Sequence, residues 1–219
     1  MPGRYELIIF DWDGTLMDSA GELVGALQQV IQDIGLPERT PAQMRELVGL
    51  GIQDVLARLF PELDPARVRD RLSRYRQRYG WPRTRSRLFV GIDEALAELY
   101  EAGFLLAVAT GKSRRGLDEA MAETGCRDWF RITRCADESV PKPAPNMIDD
   151  ILLRTATEPE AALMVGDTEY DMAMARAAGI DAVAVRSGVH QEARLRRAGA
   201  LEVIDDVRNL RAWLDVAGR

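Results

Sequence analysis

Residues 8–19, IIFDWDGTLMDS, place two carboxylates, Asp11 and Asp13, one residue apart after a short apolar run. The run 7–10 is β-prone and predicts a strand that is buried on both faces of a parallel sheet. Extended backbone through residue 13 would put both carboxylates on one side of the chain, a few ångströms apart. Two negative charges at so short a distance repel each other, so the pair predicts a compensating ligand. We expect this ligand to be a hard metal ion. The alternative is two solvated acids before a turn.

Lysine usage is a second chemical signal. Of the 29 lysines and arginines only two, Lys112 and Lys142, are lysines, and a tight site that needs a compact ammonium cannot use the wide fork of arginine. Lys142 lies between two prolines in SVPKPAPN, just before a predicted helix whose N-terminus favours anions. Lys142 is therefore a candidate anion ligand. Lys112, on a loop after a strand, receives no role from the sequence.

The composition is that of a folded chain. Its 219 residues are 47% hydrophobic, which suits one large domain or a domain that carries an insertion. No apolar stretch approaches the roughly 20 residues that span a bilayer, and the run 7–10 is too short for a signal-peptide core. We therefore expect a cytoplasmic protein without a membrane partner. Cys126 and Cys135 form no metal-binding pattern with the single histidine, His190, so two buried free thiols are expected.

The charge is unevenly distributed along the chain. The net charge of −6 argues against general nucleic-acid affinity, yet residues 67–87 hold nine arginines. Four larger side chains in this segment fall at helical spacing and predict one packed helix face. They are Val68, Leu72, Tyr75 and Tyr79. The arginines then form either an ordinary solvated helix face or a positive surface that attracts small anions.

Hydrophobic periodicity divides the chain into two patterns. Residues 19–79 show helical spacing only, with an amphipathic face across 23–34 and shorter segments at 42–48, 52–60 and 65–79. From residue 88 onward, helices alternate with apolar runs. The predicted helices are 92–102, 113–124, 144–154 and 170–178, and the predicted strands are 104–110, 131–135, 162–167 and 182–185. This alternation predicts an α/β fold, a doubly wound parallel sheet with a helical insertion after its first strand.

Polar groups follow several of the predicted strands, and ligands of such sheets collect at the carboxyl ends of the strands. Asp11 and Asp13 follow the first strand, and Asp167 and Asp171 lie in GDTEYD after a later one. Carboxylates without paired histidines or cysteines suit Mg²⁺. A second set of groups offers hydrogen-bond donors to phosphoryl oxygens. It consists of Thr110, Gly111 and Lys142.

In its motifs the sequence resembles phosphatases of the haloacid dehalogenase superfamily. DWDGTLMDS is similar to the first motif of that family, DxDGT[LV]xDS, and Thr110, Lys142 and GDTEYD stand in the order of the other three motifs. One departure is ATGKS, where many members have Asn after the Thr. The helical insertion resembles the cap of the phosphoglycolate phosphatase-like subgroup, and LVGLG at 47–51, with Gly49, resembles the cap loop over the substrate. The resemblance implies a Rossmann-like core at 1–17 and 88–219 and a cap at 18–87.

The resemblance also implies a role for each site residue, and these roles agree with the chemistry of the groups. Asp11 would attack phosphorus, and Asp13 would serve as general acid and base. Mg²⁺ would be held by Asp11, Asp167 and the backbone carbonyl of Asp13. The equatorial phosphoryl oxygens would contact Thr110, Gly111 and Lys142. Asp171 would support the site by orienting Lys142 or a metal-bound water.

Several other functions share parts of this pattern. Asp13 argues against a dehalogenase, which needs no acid for a halide, and the absence of lysine from 18–88 argues against a phosphonate hydrolase with a cap Schiff base. A phosphosugar mutase remains open, and a response-regulator receiver is a distant alternative. The expected substrate is a small phosphate ester such as 2-phosphoglycolate, although similar caps bind sugar phosphates and nucleotides. The oligomeric state stays open between monomer and homodimer.

Overall fold

A six-stranded parallel sheet is the centre of the structure, a computed structural model that describes residues 4–82 and 87–217. The sheet strands are β1 Leu7–Phe10, β4 Leu105–Thr110, β5 Ile132–Cys135, β6 Ala162–Gly166, β7 Asp181–Val185 and β8 Glu202–Ile204. Their order across the sheet is β5-β4-β1-β6-β7-β8. The chain runs outward from β1 in both directions, which makes the fold doubly wound. The predicted α/β class is confirmed.

Strand β1 is completely buried because it lies in the middle of the sheet with helices on both faces. Ile8 and Phe10 point into one apolar cluster, and Leu7 and Ile9 into the other. This alternation is the two-residue period of a strand with apolar residues at both phases. The core helices that cover the two faces are α5 Ile92–Glu101, α6 Arg114–Thr124, α7 Asn146–Thr155, α8 Glu169–Ala177, α9 Glu192–Ala198 and α10 Leu210–Ala217.

Among the described residues, the insertion after β1 folds into four helices around an apolar cluster that also includes Tyr170 of α8. These helices are α1 Ala20–Asp33, α2 Pro41–Arg45, α3 Ile52–Leu59 and α4 Pro65–Tyr79. On α4, Val68, Leu72 and Tyr75 are buried as predicted. Tyr79 was predicted on the same packed face, and this was wrong: its side chain is 65% exposed at the end of the helix and lies against the ring of Tyr75. Residues 83–86, with two of the nine arginines, lie outside the described residues.

A two-stranded antiparallel ribbon joins the insertion to the sheet domain. Its strands are β2 Met17–Asp18 and β3 Arg87–Leu88. The chain leaves the core through β2 and returns through β3, so both connections run side by side. Two-residue strands carry too little periodicity to be recognised in the sequence, which did not predict this ribbon.

Several boundaries differ from the sequence predictions. Helix α2 ends at Arg45 instead of 48, and the segment that follows turns toward the core, with Gly49 at φ +96°. Helix α7 begins at Asn146 instead of 144, because the segment around Pro143 and Pro145 forms a turn. Beyond residue 185 the structure adds α9, β8 and α10, which the sequence did not predict.

Two sequence expectations about composition can be compared with the structure. Cys126 and Cys135 are both free and buried, as predicted. Among the described residues, no helix combines the length and apolar character needed to cross a membrane.

Ile9→Ala should strongly destabilise the fold, because Ile9 is fully buried in the central strand. Truncation of a buried Ile removes apolar contacts and leaves a cavity, so we expect a loss of about 2–5 kcal/mol in the free energy of unfolding. Urea titration followed by circular dichroism would measure it. The control is Val90→Ala, at a side chain that is 86% exposed and should change the stability by less than about 0.5 kcal/mol. Equal effects of the two variants would contradict this assignment of the core.

Candidate active site

The site lies at the carboxyl ends of three neighbouring strands. Phe10 of β1 pairs with Val108 of β4 and with Val165 of β6, so the residues that follow these strands meet at one edge of the sheet. Asp11 follows β1 directly, and its N–H donates to the carbonyl of Val165 at 2.9 Å. Asp167 follows β6. The register of the sheet therefore places the two carboxylates together.

Asp11 is buried and chemically exceptional. Its Oδ1 lies 2.7 Å from Lys142 Nζ, yet among the described residues neither carboxylate oxygen receives a hydrogen bond of good geometry. Burial raises the pKa of Asp11 well above its usual range, although the Lys142 ammonium opposes this effect. A buried carboxylate with free lone pairs can bind a cation or attack an electrophile.

Lys142 is the buried counter-charge of the cluster. Its ammonium lies between Asp11 Oδ1 at 2.7 Å and Asp171 Oδ1 at 2.6 Å. Burial alone would lower the pKa of Lys142, but the two carboxylates hold it above the usual value, so the side chain is charged. Asp171 is itself fixed in the capping box of α8, where its Oδ2 accepts hydrogen bonds from the N–H and the hydroxyl of Thr168 at 3.0 and 2.7 Å. Asp171 therefore positions the ammonium beside Asp11.

Asp167 is the third buried carboxylate. Its Oδ1 accepts a hydrogen bond from the Thr15 hydroxyl at 2.9 Å, and its Oδ2 accepts one from the Val189 N–H at 2.9 Å. Burial, with the neighbouring charge of Asp171, raises the pKa of Asp167 to about 7 despite these hydrogen bonds. The raised pKa values mean that ionisation of Asp11 and Asp167 is unfavourable in this environment. A further positive charge nearby would stabilise both carboxylates.

Three carboxylates form a potential divalent-metal site. Ligand oxygens of Asp11, Asp167 and Asp171 all lie within 4.8 Å of one another. The donor set is oxygen only, and within residues 4–82 and 87–217 the oxygens of Asp11 accept no hydrogen bond of good geometry, which fits a hard cation such as Mg²⁺. Asp171 is the most heavily engaged of the three, with two hydrogen bonds on Oδ2 and Lys142 on Oδ1, whereas each Asp167 oxygen accepts one hydrogen bond. Asp11 and Asp167 are therefore the more available ligands.

Two glycines let the backbone approach Asp167. A Cβ at Gly14 would lie 2.4 Å from Asp167 Oδ2, and a Cβ at Gly188 would lie 1.9 Å from the same oxygen. Gly14 also has φ +83°, a conformation that L side chains rarely adopt. The glycine of the DGT turn is therefore required both by its backbone and by the carboxylate beside it.

Asp13 lies apart from the metal cluster, at the end of a large cavity. Its Oδ1 accepts a hydrogen bond from the Ser19 hydroxyl at 2.5 Å and lies 3.0 Å from Lys112 Nζ. No role for Lys112 was predicted from the sequence, although lysine occurs only twice in the chain and this rarity could have marked Lys112 as a site residue. The structure shows that both lysines bind the carboxylates that follow β1.

Thr110 and Gly111, two further predicted residues, lie at the end of β4, and Gly111 contacts the inserted segment that carries α1–α4, which we call the cap. Thr110, at the end of β4, is buried, and its Oγ1 accepts a hydrogen bond from the Lys112 N–H at 3.2 Å. Gly111 lies against the cap loop so closely that a Cβ there would be 2.4 Å from the carbonyl oxygen of Gly49. The cap loop is therefore in backbone contact with the core beside the site.

The cavity between cap and core has a volume of about 1210 Å³. At its core end it is bounded by Asp13, Gly111 and Lys112, and Gly49 of the cap loop also lines it. Its cap wall combines apolar side chains with arginines and glutamines, among them Leu23, Leu27, Gln53, Arg69, Leu72 and Arg76. A molecule held there would have one end at Asp13 and the rest against the cap.

Comparison with known proteins agrees with this architecture. A family model described as haloacid dehalogenase-like hydrolase matches residues 8–185. A phosphoglycolate phosphatase of Vibrio vulnificus is 32% identical over 186 residues, which cover 80% of each chain. An N-acetylmuramic acid 6-phosphate phosphatase of Pseudomonas aeruginosa is 31% identical over 224 residues, which cover 98% of this chain and 96% of that one.

A solved structure of a haloacid dehalogenase-like hydrolase from Bacteroides fragilis superposes with a TM-score of 0.84 at 22% identity, and it covers 94% of this chain and 99% of the other. This likeness establishes the fold. The family match extends from the strand that carries Asp11 to the end of β7 and includes every motif residue described above. The resemblance seen in the sequence is thereby confirmed: the chain belongs to the haloacid dehalogenase-like hydrolase family.

Proposed function

We propose that the protein is a Mg²⁺-dependent phosphatase that hydrolyses a small phosphate monoester through an aspartyl-phosphate intermediate. The observation that carries this proposal is the state of Asp11: its carboxylate is buried beside Lys142 and Asp167, and in the part of the chain that the structure describes neither oxygen accepts a well-formed hydrogen bond. A nucleophile needs an unshielded lone pair, and a phosphoryl group needs positive charge around it. The names of the two phosphatase relatives support the same reaction class.

In the first half-reaction an Asp11 oxygen forms a bond to phosphorus while the bond between phosphorus and the ester oxygen breaks. Lys142 stabilises the charge on the transferring group, and Thr110 and the Gly111 N–H are the further donors that we assign to it. Asp13 gives its proton to the leaving alcohol, a role consistent with its position at the end of the cavity. In the second half-reaction Asp13 takes a proton from water, whose oxygen bonds to phosphorus while the bond between phosphorus and the Asp11 oxygen breaks. Phosphate is released, and the Asp11 carboxylate is regenerated.

The residues that would hold Mg²⁺ are Asp11, Asp167 and the backbone carbonyl of Asp13, with Asp171 supporting through Lys142. When bound, the ion supplies positive charge that reduces the repulsion between the carboxylate and the phosphate dianion. The chain's own contribution is to hold these ligands: Thr15 and Val189 fix both oxygens of Asp167.

The proposed cap, residues 18–87, excludes water and contacts the leaving group. A phosphoglycolate-like ester is the substrate that we propose, by similarity to the Vibrio vulnificus relative. Phosphosugars and nucleotides are the alternatives. A panel of metabolite esters assayed for released phosphate with Mg²⁺ would identify the preferred one.

Asp11→Asn should abolish turnover, because an amide is neither a comparable nucleophile nor an anionic metal ligand. Released phosphate from an aryl phosphate, measured on freshly purified protein with deamidation excluded by mass spectrometry, tests this. Asp149→Asn, at an exposed position on α7, is the matched control and should keep the wild-type rate. A normal rate in Asp11→Asn would remove Asp11 from the nucleophile role.

Mg²⁺ should stabilise the protein more strongly as the pH rises. The pKa of Asp167 is about 7 in the folded chain and roughly 3.9 in an unfolded one, so this group stabilises the fold at low pH and loses that contribution as the pH rises through 7. Mg²⁺ requires the ionised carboxylate and displaces its proton. We expect little Mg²⁺-induced rise in Tm at about pH 5.5 and a rise of several degrees at about pH 8.

Thermal unfolding with and without Mg²⁺ at the two pH values measures this effect, and EDTA should reverse it. Asp167→Asn is the control and should lose the Mg²⁺-induced rise at both pH values. An equal rise in the wild-type protein at both pH values would show that Asp167 does not titrate against the ion.

Asp13→Asn should slow hydrolysis by roughly 10²–10⁴, the usual effect of losing a general acid–base group. Aryl phosphates have good leaving groups that need little protonation, so their first half-reaction should suffer less and the phosphoenzyme should accumulate as a burst. Rapid-quench kinetics with aryl and alkyl phosphates provide the measurement. Equal losses for both ester classes without a burst would assign Asp13 to metal binding instead.

A further inference from the structure

Glu46, in the turn between α2 and α3, is a cap residue to which three core side chains attach. The hydroxyl of Tyr170 donates to the Glu46 carbonyl at 3.2 Å, and His190 Nε2 lies 3.1 Å from the same oxygen. The guanidinium of Arg194 pairs with the Glu46 carboxylate. We call Glu46, Tyr170, His190 and Arg194 the Glu46 latch. The backbone carbonyl and the side-chain carboxylate of Glu46 therefore both bind side chains of the core.

The hydrogen bonds fix the tautomer of His190. The Glu169 N–H donates to His190 Nδ1 at 3.0 Å, so Nδ1 is an acceptor and the hydrogen sits on Nε2. Nε2–H then donates to the Glu46 carbonyl. Burial lowers the pKa of His190, which keeps the ring neutral near pH 7 and both bonds in place. The ring also meets Tyr170 edge-on, with centroids 5.5 Å apart.

The core end of the latch is rigid because it is anchored at the site. The His190 N–H approaches the Asp167 carbonyl at 3.4 Å, and the neighbouring Val189 N–H bonds the Asp167 carboxylate. Arg194 forms a second ion pair with Glu169 at 2.6 Å, in the first turn of α8. The segment that holds Asp167 is thus the same segment that reaches the cap.

The cap end of the latch leads directly to the cap loop. Gly49 is three residues after Glu46 and lies between two core groups: its carbonyl is against Gly111, and a Cβ on Gly49 would lie 3.1 Å from the Thr168 side chain. Thr168 in turn caps α8 together with Asp171. A displacement of Glu46 would therefore move the backbone that covers the site.

We propose that Tyr170 and His190 are positioning residues that hold the Glu46 turn, and with it Gly49, against the core. We expect the two hydrogen bonds to the Glu46 carbonyl to contribute most, since both donor side chains are buried, whereas the side chains of the ion pair between Arg194 and Glu46 are more exposed. Neither residue touches the reacting atoms. The kinetic consequence rests on the proposed phosphatase function, but the latch itself does not.

Amide hydrogen exchange of residues 46–51, measured by mass spectrometry without substrate, tests the latch directly. Tyr170→Phe removes one donor and should make exchange there roughly fivefold faster. His190→Phe removes the other donor and leaves the Glu169 N–H without its acceptor, so exchange should rise roughly 10- to 100-fold. His190→Gln, whose amide can donate to the same carbonyl, should recover part of the protection, and Glu46→Gln should have a smaller effect than either donor variant.

Matched controls separate the latch from general loosening. Tyr100→Phe, at a hydroxyl with no hydrogen bond among the described residues, and Arg211→Met, in an exposed helical ion pair, should leave exchange at 46–51 unchanged. Protection of β1 must stay at the wild-type level in every variant. Unchanged exchange at 46–51 in Tyr170→Phe with β1 intact would overturn the proposal, even if His190→Phe fails to fold.

Steady-state kinetics provide the functional readout. Opening the cap should raise KM for the ester with the highest wild-type kcat/KM by roughly tenfold in His190→Phe, while kcat for p-nitrophenyl phosphate stays within about threefold. A wild-type protein without Mg²⁺-dependent phosphatase activity would overturn the proposed function and leave the exchange result to decide on the latch. Equal losses of kcat on both esters, with unchanged KM, would contradict the positioning role.

Discussion

Three carboxylates and one ammonium buried at the end of the central strands are the constraint on which the rest of the structure depends. Asp11, Asp167 and Asp171 are buried from solvent, so they cannot all be ionised unless positive charge and hydrogen-bond donors surround them. Lys142 supplies one charge, and the turns supply donors from Thr15, Thr168 and Val189. The close backbone approach at Gly14 and Gly188 follows from the same need.

The charged groups of the site and the segment that covers it come from different parts of the chain. Every charged group of the buried cluster belongs to the sheet domain, whereas the cap contributes backbone at Gly49 and the outer wall of the cavity. The cap helices pack around an apolar cluster that also includes Tyr170, so this core side chain joins the two parts. The ribbon of β2 and β3 carries both chain connections between them.

The sequence predicted the elements whose signals are local and strong. The parallel strands were recognisable as apolar runs. Because ligands of such sheets lie at the carboxyl ends of the strands, the sequence alone predicted that Asp11 and Asp167 share one site. The ion pair between Lys112 and Asp13 depends on how two turns approach each other, which periodicity does not encode. The ribbon and β8, at two and three residues per strand, were too short to show alternation. Tyr79 kept the helical spacing but lies past the last core contact of α4.

The contact between Gly49 and Gly111 has an evolutionary consequence. The carbonyl of Gly49 occupies the space that any side chain at 111 would need. A substitution at 111 alone would displace the cap loop, so the core can accept a side chain there only if the loop takes another path. The two positions are therefore epistatic: the tolerated residues at one depend on the residue at the other. A cap loop shaped to leave room for a side chain at 111 would leave a gap above the glycine of this core.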